Sequence, residues 1–116
     1  MDHFKLVLPA FLNHHGSLFG GYLLKWIDEF AYITANLDHP GNRFVTVALD
    51  NVVFKHKITC GQILKFNVSL KKKGKTSLDY LVEVSGADVP DKILFETNIT
   101  FVNISKSGEK CLILGN

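Results

Sequence analysis

Asn13-His14-His15-Gly16-Ser17-Leu18-Phe19-Gly20-Gly21-Tyr22-Leu23-Leu24-Lys25-Trp26-Ile27-Asp28-Glu29-Phe30-Ala31-Tyr32-Ile33-Thr34-Ala35 decides how this chain folds. The first part is a glycine-bearing turn and the rest reads as one long helix of about 16 residues, roughly 24 Å. Stepping about 100° per residue from Leu24 brings Ala31, Ala35 and Asp28 to one side. Lys25, Glu29, Tyr32 and Asn36 make a narrow polar strip, and Lys25 with Glu29 is an ordinary pair one turn apart. Trp26, Ile27, Phe30, Ile33 and Leu37 cover most of the remainder, so the helix is nearly apolar all round and calls for a curved sheet around it. The first turn of a helix carries unpaired N–H groups, and glycine lets a ligand approach them closely. Such a turn, with a carboxylate further along the same helix, suits chemistry on a carbonyl. Periodicity alone equally allows Asp28 as a surface carboxylate paired with a lysine, Asn13 as a turn or cap residue, and the two glycines as packing devices.

Outward from the helix, residues 4–8 read as a strand stopped by Pro9. Residues 38–42, Asp38-His39-Pro40-Gly41-Asn42, are a strong stop and turn. Beyond them the chain is strand-like. Residues 44–50 are β-branched and apolar and continue through 51–54 by way of a bulge, forming a sheet edge. Cys60-Gly61-Gln62 turns the chain. Leu64, Phe66, Val68 and Leu70 alternate with polar neighbours, a period of two. Lys73-Gly74-Lys75 is a tight hairpin. Leu78, Tyr80, Val82 and Val84 alternate next, residues 86–91 read as a loop, and Phe95, Thr97, Ile99 and Phe101 alternate last. Residues 106–116 form a tail whose Cys111-Leu112-Ile113-Leu114 is apolar enough to pack on a neighbour. Strand, long helix, then about four antiparallel strands is an α+β layer arrangement.

The 116 residues, 47% hydrophobic and 21% charged, suit a single domain over residues 1–116 with one core. A net charge of +2 gives no global field for nucleic acid, although Lys71, Lys72, Lys73 and Lys75 crowd one point. Cys60 and Cys111 fit no zinc, redox or disulfide pattern and read as packing residues. The adjacent His14 and His15 are expected to diverge in a solvated loop, with no further ligand at metal spacing. No secretory pattern precedes the first strand and no apolar run is long enough for a bilayer, so the expectation is a cytoplasmic protein without membrane contact.

Asn13-x-x-Gly16-x-x-Phe19-Gly20-Gly21-x-x-Leu24-x-x-x-Asp28 resembles the signature of hot-dog-fold acyl-CoA thioesterases, in particular the short bacterial acyl-CoA thioester hydrolases related to cytosolic long-chain acyl-CoA hydrolases. Val45-Thr46-Val47-Ala48 followed by Asp50 and Phe54, the Lys73-Gly74-Lys75-Thr76-Ser77 hairpin and the closing Thr100-Phe101-Val102 resemble further markers of that family in the same order. Phe11 departs from it, standing where the family usually has an aspartate. The resemblance implies a central helix wrapped by about five antiparallel strands, and an enzyme that hydrolyses acyl-CoA to coenzyme A and a carboxylic acid. It implies that backbone N–H groups at Gly20 and Gly21 polarise the carbonyl, that Asp28 acts as base or nucleophile, and that Asn13 positions water or thioester from the partner subunit. His14, Phe19 and Phe54 would line the substrate site, and Lys73, Lys75, Thr76 and Ser77 would meet coenzyme A phosphates. No metal or cofactor beyond the substrate's own coenzyme A is implied. The expected assembly is a dimer sharing its sites, built into a hexamer (a trimer of dimers) or a tetramer. A non-catalytic acyl-CoA-binding module is the alternative. A hydratase or dehydratase, which uses a histidine with a carboxylate, fits less well, because no histidine lies on the helix.

Overall fold

The computed structural model describes residues 1–115; Asn116, the last residue of the tail, lies outside the described residues. Strand β1 (Asp2–Leu6) leads through a short 3-10 turn (Pro9–Phe11) to helix α1 (Gly20–Asp38). Strands β2 (Phe44–Leu49), β3 (Ile63–Lys73), β4 (Ser77–Gly86) and β5 (Val89–Asn103) follow. One five-stranded sheet, ordered β1-β3-β4-β5-β2 and antiparallel throughout, wraps the long helix. This is the hot-dog architecture implied by the resemblance.

Alternation in the strands fixes which side chains meet the helix, because successive residues point to opposite faces. Leu64, Phe66 and Val68 of β3, Leu78, Tyr80, Val82 and Val84 of β4, and Phe95, Ile99 and Phe101 of β5 are all buried. The helix answers with Leu23, Trp26, Ile27, Ala31, Thr34 and Ala35, the three-and-four spacing of an amphipathic helix. Each large apolar side chain fully buried here contributes about 1.5–3 kcal/mol. The opposite side of the helix stays open: Tyr32, Ile33 and Leu37 are exposed, so the apolar sequence is wrapped on one side only within a single chain.

Several boundaries differ from the sequence expectation. The sheet pairing of β1 ends at Leu6, because Val7 donates instead to Gln62 O at 2.9 Å. The helix begins at Gly20 itself and runs 19 residues, ending where the turn signal lies; Gly41, at φ +86°, supplies the left-handed step that follows. Strand β2 does occupy a sheet edge, but it stops at Leu49 and its irregularity falls between Thr46 and Ala48; residues 51–54 leave the sheet. Residues 86–91 are not a loop: β4 and β5 are joined by Ala87 and Asp88 alone, with register shifts absorbing the bend. The tail packs on its own chain. Cys111 N donates to Asn103 O at 3.0 Å and Ile113 N to Lys75 O at 2.9 Å. Buried Asn103 ties it down: its Oδ1 accepts from Arg43 N at 2.7 Å, and its Nδ2 donates to Leu112 O at 3.0 Å and Asn42 Oδ1 at 3.1 Å.

Candidate active site

The turn before the helix is built by Asn13. Its Oδ1 accepts from His15 N at 2.9 Å, Ser17 N at 3.3 Å and Ser17 Oγ at 3.4 Å, the local side-chain-to-backbone pattern that favours asparagine in turns. Gly16 completes it at φ +77°. The turn and catalytic readings of Asn13 are therefore compatible: Oδ1 shapes the loop, and Nδ2 has no protein partner among the described residues. Within this tight turn the rings of His14 and His15 do not diverge. Their centroids are 3.9 Å apart, since the backbone reverses where an extended chain would have splayed them. Both are exposed.

Phe19 caps the helix without a side-chain hydrogen bond. Its carbonyl accepts from Tyr22 N at 3.0 Å, while the N–H groups of Gly20 and Gly21 have no protein partner among the described residues. These donors stand at the positive end of the helix dipole. A cleft of about 400 Å³ opens there, lined by Asn13, Gly20, Leu23, Phe54, Ile58 and Phe95 among others. The Phe54 ring lies on Gly20: a Cβ at that position would sit 3.0 Å from its tip. Phe19 and Phe54 are both more than half exposed, at 54% and 53%, and the Phe54 ring is tilted by 56° to that of Phe95, with centroids 5.8 Å apart. Leu18, Leu23, Ile58 and the rings of Phe54 and Phe95 give the cleft an apolar side, and Asn13, Ser17 and residues 55–57 give it a polar one.

Asp28 is elsewhere in the chain's own frame. Eight residues past Gly20, it lies about 12 Å along the helix axis, half-buried. Thr46 of β2 donates to its Oδ1 at 2.7 Å. Asp28 and Thr46 face a second cleft with Lys25, Glu29 and Tyr32, and the two clefts have no lining residue in common. One chain therefore brings Asn13, Gly20 and Phe54 together but does not bring Asp28 to them. Thr46, a partner of Asp28, was quoted in the sequence only as part of the 45–48 marker and given no role of its own. It sat inside a β-branched run, and only the pairing of β2 beside the helix reveals its partner.

The hairpin residues Lys73, Lys75, Thr76 and Ser77 sit apart from both clefts. Thr76 lines a groove with Gly41, Asn42, Arg43 and Asn103, and Tyr80 just beyond it reaches Asp38 Oδ2 at 3.4 Å. This is the C-terminal end of α1, a helix of about 28 Å, so within one chain these lysines lie at the far end from Gly20. Burial, followed by the negative charge of Asp38, pushes the Tyr80 phenol well above its usual range.

Comparison with known proteins agrees with this architecture. A family model of the thioesterase superfamily matches residues 15–93. Acyl-coenzyme A thioesterase 11 of Mus musculus is 35% identical over 85 residues, covering 73% of this chain and 14% of that protein. Curated bacterial relatives are also longer: the chain spans about half of a Zymomonas mobilis acyl-CoA thioester hydrolase, at 52% of its length and 36% identity. Among solved structures, an acyl-CoA hydrolase of Staphylococcus aureus in complex with butyryl coenzyme A, coenzyme A and coenzyme A disulfide superposes with TM-score 0.86 at 31% identity, over 99% of this chain and 71% of that one. Forms of that enzyme with one aspartate, asparagine or threonine replaced by alanine have also been characterised. A hexameric thioesterase of Yersinia pestis superposes with TM-score 0.87 at 25% identity, over 97% and 93% of the two chains. Sequence match across most of the chain and backbone match across nearly all of it converge, and the chain belongs to the thioesterase superfamily with the hot-dog fold.

Proposed function

We propose that this protein hydrolyses acyl-CoA thioesters to coenzyme A and a carboxylic acid, at sites shared between two copies of the chain. The observation that carries the reading is the uncapped helix start: the N–H groups of Gly20 and Gly21 are unpaired among the described residues, and Gly20 lines a cleft that also holds Asn13. Donors fixed in place before charge develops are the main source of catalysis in acyl transfer. The thioester carbonyl oxygen would accept from these N–H groups. Asp28 of the other copy would take a proton from water as water attacks the carbonyl carbon. The tetrahedral oxyanion would then collapse, breaking the carbon–sulfur bond, and the coenzyme A thiolate would leave and take up a proton. If the Asp28 carboxylate attacked instead, loss of the thiolate would leave an acyl–Asp28 anhydride, which water would then hydrolyse to the free acid and the regenerated carboxylate. Asn13 Nδ2 would hold the water or the thioester.

The partner requirement rests on the separation of the two clefts. A two-fold axis that repeats every contact is the simple way to join the Gly20 end of one helix to Asp28 of another, and the exposed Ile33, Leu37 and Val47 flank the face where it would run. In the Staphylococcus aureus enzyme the replaced asparagine precedes the replaced aspartate by fifteen residues, the separation of Asn13 from Asp28. Thr46, hydrogen-bonded to Asp28, stands near the place of the replaced threonine and would aim the carboxylate. The Yersinia pestis relative is hexameric, which supports a trimer of dimers here. Lys73, Lys75, Thr76 and Ser77 would reach phosphate groups only at a site of another protomer. Among the described residues no helix is long and apolar enough to cross a membrane; a cytoplasmic location would keep the free thiols of Cys60 and Cys111 reduced.

A thiol-trapping assay across acyl-CoA esters of increasing chain length tests the function. Release of free coenzyme A with saturation is the expected result. Saturable binding without release would replace the enzyme by a binding module, and hydration of an enoyl thioester would replace hydrolysis by a different chemistry.

A further inference from the structure

Lys55, His56 and Lys57 are exposed and line the cleft at the helix start. We infer that Lys55 and Lys57 hold the phosphate groups of the coenzyme A moiety at this cleft, which makes them binding residues of the proposed thioesterase site. The inference rests on that functional reading and deepens it.

Three observations place the anion here. The segment is pinned across the helix start: Leu18 N donates to Ile58 O at 2.7 Å, Lys55 N donates to Val53 O at 3.1 Å, and the His56 ring meets Phe95 edge-on at 5.9 Å. The wall of the cleft carries no carboxylate, being lined by Asn13, Ser17 and apolar residues besides this basic run. Neither lysine is engaged in an ion pair among the described residues, where Lys65 with Asp2 is the pair formed. Positive side chains therefore add to the positive end of the helix without local neutralisation. The chain's other basic concentration, the hairpin, lies at the far end of α1. Exposed lysines suit phosphates, which stay partly hydrated and need point charges. A carboxylate at the end of an acyl chain would instead run along the apolar inner wall of Leu23, Ile58 and Phe95.

The experiment compares wild type, a Lys55→Ala/Lys57→Ala pair, the matching arginine pair, and a Lys73→Ala/Lys75→Ala pair. Each is given butyryl-CoA, butyryl-pantetheine (the same thioester without nucleotide or phosphates) and a pantetheine thioester whose acyl chain ends in carboxylate. The Lys55/Lys57 alanine pair is expected to raise KM for butyryl-CoA about tenfold with kcat unmoved. KM for both pantetheine esters should not change, the salt dependence of KM should flatten, and arginine should restore it. The inference is overturned by an unchanged KM for butyryl-CoA, by equal rises on butyryl-CoA and butyryl-pantetheine, by an effect confined to the carboxylate-ended ester, or by an effect confined to the hairpin pair. Calorimetric binding of coenzyme A itself reads the same contact without turnover. A wild type that binds coenzyme A through these lysines and hydrolyses nothing would defeat the functional reading while leaving this one standing.

Discussion

Gly20 lies beneath Phe54 with so little room that a methyl group would meet the ring at 3.0 Å. Because that ring is half exposed, it can yield, and alanine is the better helix former. Gly20→Ala should therefore leave Tm unchanged or slightly raised while kcat/KM falls about tenfold or more, the cost of crowding the donors; a drop in Tm with activity intact would mean the glycine serves packing. Asp28→Asn should retain the fold and lose about two to four powers of ten in kcat, the usual range for removing a general base. Thr46→Val should lower kcat about tenfold at constant KM, with Thr46→Ser restoring it, because the hydroxyl orients Asp28 without touching water itself. As candidates, Asn13, Gly20 and Asp28 were legible through one spaced motif. Thr46 was not, because a hydrogen bond between strand and helix has no local signature, and Lys55 and Lys57 were not, because a lysine in a loop reads as ordinary surface until a cleft is seen beside it.

Among the elements, β3, β4 and β5 were legible because one face is buried and the other wet, which writes a period of two into the sequence. The pattern fails at Leu70, which is 40% exposed although it pairs with buried Tyr80, immediately before the irregularity between Leu70 and Lys72. The length of β2 was not legible, since Val52, Val53 and Phe54 look like strand but lie outside the sheet, with Phe54 lining the cleft. As an edge, β2 offers unpaired backbone to a second copy; Val47→Lys should yield monomers by light scattering and abolish hydrolysis together, whereas an active monomer would remove the shared site. The tail clamp was also hidden, because Asn103 acts through partners spread from Arg43 to Leu112. Asn103→Leu leaves those half-buried groups without their partner and should cost about 1–3 kcal/mol in urea unfolding. Tyr80 adds a pH dependence. Its phenol is held neutral in the fold to higher pH than in the unfolded chain, where it titrates near 10, so its share of stability is complete below that value and is lost as pH rises above it. Tyr80→Phe should flatten the alkaline fall of Tm; an unaltered alkaline limb would assign that fall to other groups.

At the scale of the whole molecule, one chain holds two half-sites that never meet: donors and asparagine at one end of the helix, carboxylate and threonine further along it. The motif carried Asn13, Gly20 and Asp28, and the resemblance implied their division between chains; two clefts without a common lining residue accord with that division. Co-assembly of two disabled proteins tests this most directly. In a random mixture of Asn13→Ala and Asp28→Ala chains, half of the dimers are mixed, and each mixed dimer keeps one site whose asparagine and aspartate are both intact. The account predicts recovery of about one quarter of the wild-type hydrolysis rate from two nearly inactive proteins. A mixture no more active than its separate components, with mixed dimers verified by mass, would contradict it.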